Sequence, residues 1–206
     1  MFDAFQQAFP PDAGRVPSEY PWTEDKTLSL LGVVPEGYTE WVAGHAVPSY
    51  GNGVIRFLLP DTSPSLLIWN GAAGWASDWV SWKGRLVVFA FDWLGRQFAF
   101  DRGRIDPVSQ EPLIAVLEPG TGYVLEVPET FQGFMERELV QYPDAALATD
   151  FYREWLGRGG QKPGFSACIG YKVPLFLGGE DGGENLELSP LSVYLSLMGQ
   201  LFHKSA

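Results

Sequence analysis

The chain has 206 residues, enough for a self-sufficient hydrophobic core, and sets 14 Lys and Arg against 25 Asp and Glu for a formal charge of −11. A field of that sign repels phosphate backbones and steers basic partners inward, which argues against direct nucleic-acid binding. Cys168 is the only cysteine, Met1–Gln7 lacks the basic and apolar runs of a secretion signal, and no segment approaches the roughly 20 apolar residues of a membrane span, so a soluble, cytoplasmic protein is expected.

Phe2, Phe5 and Phe9 recur at helical spacing before Pro10-Pro11 and predict an N-terminal helix of two to three turns docked on the main body. Residues 12–27, with Gly14, Pro17 and Pro21, read as an irregular connection, so residues 1–27 are set apart from a single domain over 28–206. Pro35 suits a helix first turn, after which Tyr38, Trp41 and Val42 share a face until the helix stops near Gly44.

Val54–Leu59 is a β-branched and aromatic run closed by Pro60 and reads as a strand. Leu66–Trp69 is a second apolar run, followed by Trp75, Trp79 and Trp82 at helical spacing, a stripe expected as a short helix on the sheet. Leu86–Trp93 and Gln97–Phe100 flank Gly95 as a hairpin, and Leu113–Leu117 and Tyr123–Val127 are two more strands joined through Pro119–Gly122. Thr130 opens a helix through Phe134 and Leu139, and Ala145–Leu156 forms a second helical segment with Phe151, Tyr152 and Trp155 facing inward. From Pro190 the residues Leu191, Tyr194, Leu197, Met198 and Leu201 give a C-terminal helix that seals one edge. Helix, strand meander, then helices is the order of an α+β fold with a mostly antiparallel sheet of about five to six strands.

The chemistry-bearing residues are sparse. His45 and His203 are the only histidines, neither in a metal-ligand spacing, and Gly164-Phe165-Ser166-Ala167-Cys168 lacks the second glycine of a nucleophile elbow. Gly178–Gly183 is followed by Glu184, whose charge repels phosphate, and the alternating acids of a calcium loop are missing. No cofactor, metal or catalytic residue is therefore assigned. What remains is an apolar run, Val173–Leu177, breaking into a glycine-rich acidic loop that carries Glu180, Asp181, Glu184 and Glu187. Four glycines in six residues allow tight turns and positive φ, so this loop has a defined shape to hold and points to recognition. Aromatics make up 15% of the chain, and interfaces favour Trp and Tyr, so Trp75, Asp78 and Trp79 are taken as a second contact patch. A carbohydrate-binding or carbohydrate-active protein stacking sugars on these tryptophans stands as the alternative.

Val34-Pro35-Glu36-Gly37-Tyr38-Thr39-Glu40-Trp41-Val42, the Gly51-Asn52-Gly53 turn, the hairpin Val88–Asp101, the helix start Thr130-Phe131-Gln132-Gly133-Phe134 and the strings Pro174–Gly179 and Asn185–Glu187 occur in an order that resembles the SUKH superfamily. That group includes the yeast cell-wall assembly regulator and many bacterial immunity proteins, and the last two strings resemble a tail related to type VI secretion immunity proteins. Val34 stands where the family has leucine, and Trp75–Trp82 has no counterpart in it. The resemblance implies a SUKH-like α+β domain and a non-enzymatic immunity protein that occludes a cognate toxin, or a regulatory scaffold like the eukaryotic relatives. Combined with the acidic balance, it implies a basic, nuclease-like toxin as partner.

Overall fold

The computed structural model describes residues 1–14 and 21–205. Six strands form one antiparallel meander in sequence order: β1 (Ser49–Tyr50), β2 (Ile55–Phe57), β3 (Leu86–Asp92), β4 (Gln97–Ile105), β5 (Pro112–Glu118) and β6 (Tyr123–Glu126). A separate hairpin pairs β7 (Ala167–Tyr171) with β8 (Leu186–Pro190). The protein is thus α+β with a mostly antiparallel sheet, as its element order implies.

All seven residues of β3 are buried, so both faces of the sheet are covered. On one face, Phe57, Phe89 and Phe100 meet three helical pieces. They are α1 (Asp3–Ala8), α3 (Tyr38–Glu40), which widens into a π turn over Trp41–His45, and α5 (Phe131–Gly133), which continues through a π turn into α6 (Leu139–Gln141). Tyr38 sits edge-on to Phe100 and Phe131 at 4.9 and 5.1 Å between ring centres, a geometry that aligns ring edges with the electron-rich faces of their neighbours. The side chain of Thr130 accepts a hydrogen bond from Gly133 N–H and caps this helix, as its position predicts.

The N-terminal segment belongs to this core. Phe2, Phe5 and Phe9 are buried in it, although α1 is only six residues long and falls short of the expected two to three turns. The expected irregular connection at 12–27 is corrected at its end: Glu24–Leu31 form α2, capped by Thr23 and started by two acids. Residues 12–14 and 21–23 hold neither helix nor strand, as expected, and residues 15–20 lie outside the described residues. A boundary at residue 27 has no structural counterpart, because Thr27 is buried within α2, where its Oγ1 contacts Thr39 at 2.8 Å and accepts from Trp22 Nε1 at 2.9 Å.

The opposite face is covered by α4 (Leu66–Trp69), the segment after it, the β7–β8 hairpin and α9 (Leu191–Ser205). Here Arg56 of β2 is fully buried with its guanidinium 4.7 Å above the Phe91 ring. It donates to the backbone carbonyls of Gly164 (2.7 Å), Ala167 and Asp92. Burial lowers its pKa to about 10, which leaves it charged at neutral pH. One side chain therefore fastens the start of the C-terminal hairpin to the sheet. Beyond it, Asp92 closes the β3–β4 turn, accepting from Leu94 N–H, Arg96 N–H and Arg96 Nε at 3.0, 2.9 and 2.6 Å. Burial pushes the Asp92 pKa up, against the pull of Arg96. Cys168 is buried, and its thiol pKa is raised to about 12 by desolvation.

Candidate functional site: an acidic cleft

The acidic loop connects β7 to β8 and is braced at several points. Asn185 does most of this: its Oδ1 accepts from Val173 N–H at 2.9 Å, and its Nδ2 donates to the carbonyls of Val173 and Glu180 at 2.8 and 2.9 Å. Tyr171 donates to Asp181 Oδ1 at 2.6 Å, and Lys172 Nζ donates to Glu184 O at 2.8 Å. Burial and the Asp181 carboxylate together push the Tyr171 phenol upward. Gly178 adopts φ +85°, which favours glycine, and a Cβ on Gly179 would stand 2.0 Å from Val173 O, which requires it. Leu175 N–H then binds Gly120 O at 2.9 Å, docking the loop on the turn between β5 and β6.

Opposite this loop stand α7 (Pro143–Leu147) and α8 (Thr149–Gly157), the latter entered through Ala148 in a left-handed conformation. Between loop and helices lies an open cleft of about 580 Å³ lined by Asp144, Asp150, Glu154, Glu180, Asp181 and Glu184, with Ala148 and Phe151 among its apolar walls. The one guanidinium lining it, that of Arg158, pairs with Glu154 and approaches Glu184 at 3.9 Å. Six carboxylates from two separate parts of the chain thus share one concavity whose lining includes a single cation, with Arg153 paired to Asp150 beside it.

Three of the four loop acids expected at a contact surface, Glu180, Asp181 and Glu184, meet in this cleft, and Glu187 is exposed on β8 outside its lining. Asp144, Asp150 and Glu154 were not anticipated. Asp150, Glu154 and Arg158 recur four apart, which places them on one helical face, and that spacing is the signal that could have drawn attention to them. The second expected patch is corrected. Trp75 and Trp79 are 4% and 3% exposed; Trp75 opens the 3-10 turn Trp75–Ser77 and Trp79 immediately precedes a second, Val80–Trp82, where one helix was expected. Trp79 Nε1 donates to Leu195 O at 3.0 Å and Trp75 Nε1 to Asn70 Oδ1 at 3.3 Å, so both rings face the interior. Asp78 is half-buried and accepts from Ser196 Oγ at 2.6 Å.

A solved structure shares this fold. The chain is similar to the protein of the crystal structure of Atu4351 from Agrobacterium tumefaciens, with a TM-score of 0.57 and 14% sequence identity, over 97% of this chain and 89% of that one. At that identity the likeness is one of fold alone. The chain matches no family model and no curated protein in sequence. No helix among the described residues is long and apolar enough to cross a membrane, and no group of three or more His, Cys, Asp or Glu side chains there could hold a metal ion.

Proposed function

We propose that this protein is a non-enzymatic binding protein that holds a basic protein against the cleft between the 180–184 loop and α8. The observation that carries the reading is the convergence of six carboxylates from two elements on one concavity. Their field, added to a formal charge of −11, accelerates encounter with a cation, and Phe151 offers an apolar contact once water is expelled. The resemblance to SUKH immunity proteins supplies the biological setting: a cytoplasmic antidote that covers a basic, nuclease-like toxin. Sugar stacking finds little support, since Trp75 and Trp79 are buried.

Co-expression with the reading frames neighbouring the gene, scored for rescue from toxicity, identifies the partner. The association rate is then measured against salt. The expected result is a steep fall with ionic strength, together with a loss of roughly tenfold or more when Glu180, Asp181 and Glu184 are replaced by Gln, Asn and Gln, because steering of this kind is worth about 10 to 1,000-fold in rate. A rate indifferent to salt and to the triple replacement refutes the assignment of this surface.

A further inference from the structure

The tryptophan segment has a second aspect. Although Trp75 is withdrawn from the surface, it lines a groove of about 360 Å³ between the segment 64–78 and one side of α9. Trp69, Trp75 and Leu195 make its apolar wall, and all three are at most 5% exposed. Ile68 stands on its rim at 70% exposure, and Leu67 and Val193, beside lining residues in sequence, are 54% and 58% exposed. An apolar wall with an exposed aliphatic side chain on its rim is the arrangement that takes up an apolar side chain from a partner. Asp78 is the only charged residue among those lining the groove, and both hydroxyls that bond it, Ser77 and Ser196, use Oδ2. Among the described residues no hydrogen bond is made to Oδ1, so that oxygen can accept from a donor outside.

The geometry points to this groove as a docking site for an amphipathic segment of another protein, one that seats an apolar side chain between Ile68 and Leu195 and sets a lysine or arginine on Asp78. The charge decides among occupants. A second copy of this chain brings a further formal charge of −11 to a groove whose own charge is negative, whereas a basic amphipathic segment matches both the apolar wall and the carboxylate. The groove shares no lining residue with the acidic cleft, so the inference stands or falls separately from the function proposed above.

The test uses the full chain and a capped, fluorescein-labelled helical peptide with leucines at i, i+3, i+4 and i+7 and lysines elsewhere, alongside a scrambled peptide of the same composition and a version with glutamate for lysine. Polarisation titrations are paired with amide chemical-shift mapping. The expected result is binding of the leucine–lysine peptide, at least roughly tenfold weaker binding of both controls, and shifts centred on Ile68, Trp75 and Leu195. Ile68→Glu, on an exposed side chain, abolishes binding with an unchanged melting temperature, and Asp78→Asn weakens it several-fold while flattening its salt dependence. The Glu180→Gln, Asp181→Asn, Glu184→Gln variant binds this peptide as the parent does. The inference is overturned if no peptide binds, if the scrambled peptide binds equally, if the shifts map to the acidic cleft, or if Ile68→Glu binds normally. Sedimentation that shows a dimer dissolved by Ile68→Glu also overturns it, since the groove would then belong to a second copy.

Discussion

Arg56→Met should reveal how much of the fold hangs on one buried cation. The guanidinium is fully buried, stacks on Phe91 and serves three carbonyls, those of Gly164, Ala167 and Asp92, with no carboxylate bonded to it directly. Methionine fills much of the volume but supplies no donor. Each of three carbonyls stranded away from water costs about 1–3 kcal/mol, while removal of the buried charge returns part of that, so a net loss of about 3–5 kcal/mol is expected. For a chain of this size each kcal/mol is worth about 2–4 °C, which puts the fall in melting temperature at roughly 6–20 °C. Arg56→Lys should lose nearly as much, since a single ammonium cannot present the planar fork that reaches three carbonyls. Urea titration followed by tryptophan fluorescence measures both variants. If Arg56→Met stays within about 1 kcal/mol of the parent, the guanidinium's clamp on the C-terminal hairpin is not what holds it.

Three further outcomes follow from the same structure. Cys168, whose thiol is raised to about 12 by burial, should resist iodoacetamide in the native protein at pH 8 and react fully in urea; rapid labelling of the native form would contradict its placement. Asp12 accepts from Asn52 N–H, Gly53 N–H, Ser49 Oγ and Lys162 Nζ, and those bonds, outweighing partial burial, hold its pKa below the ordinary value. Its contribution is therefore present above the unfolded-state value near 3.8 and is lost as pH falls through the lower folded value, so Asp12→Asn should lower stability at pH 7 and flatten the acid limb of the stability curve, with an unchanged limb counting against it. Asn185→Ala removes three bonds that shape the acidic loop, and should raise amide exchange across 173–185 and weaken the proposed partner's binding with little change in melting temperature; normal exchange there would show that other contacts suffice.

Long patterned elements were legible from residue order. The β3–β4 hairpin announces itself by two β-rich runs around Gly95, which takes φ +80°, and Thr130 and the period of Leu191–Leu201 mark helices that the structure contains. Shorter elements were not. β1 spans two residues and exists because Tyr50 is buried beside Trp41 and Phe5, a tertiary cause with no local signature. β7 includes small, weakly β-forming residues such as Ala167 and Gly170, and a Cβ on Gly170 would lie 2.4 Å from the Tyr194 ring, so helix packing dictates a glycine where strand propensity would not. Helical spacing at Trp75, Trp79 and Trp82 misled because consecutive 3-10 turns can mimic it. Half of the cleft was visible as loop acids. The other half sits on α7 and α8, some thirty residues earlier, and only the folded chain brings the two sets face to face.

The cross-bracing by Asn185, Tyr171 and Lys172, with the anchor at Gly120, has a thermodynamic corollary. A loop rich in glycine would ordinarily forfeit much freedom on capture, yet this one surrenders it during folding, when the hairpin closes. An incoming macromolecule meets a mould already set, and the entropy otherwise spent on ordering such a segment is conserved as affinity.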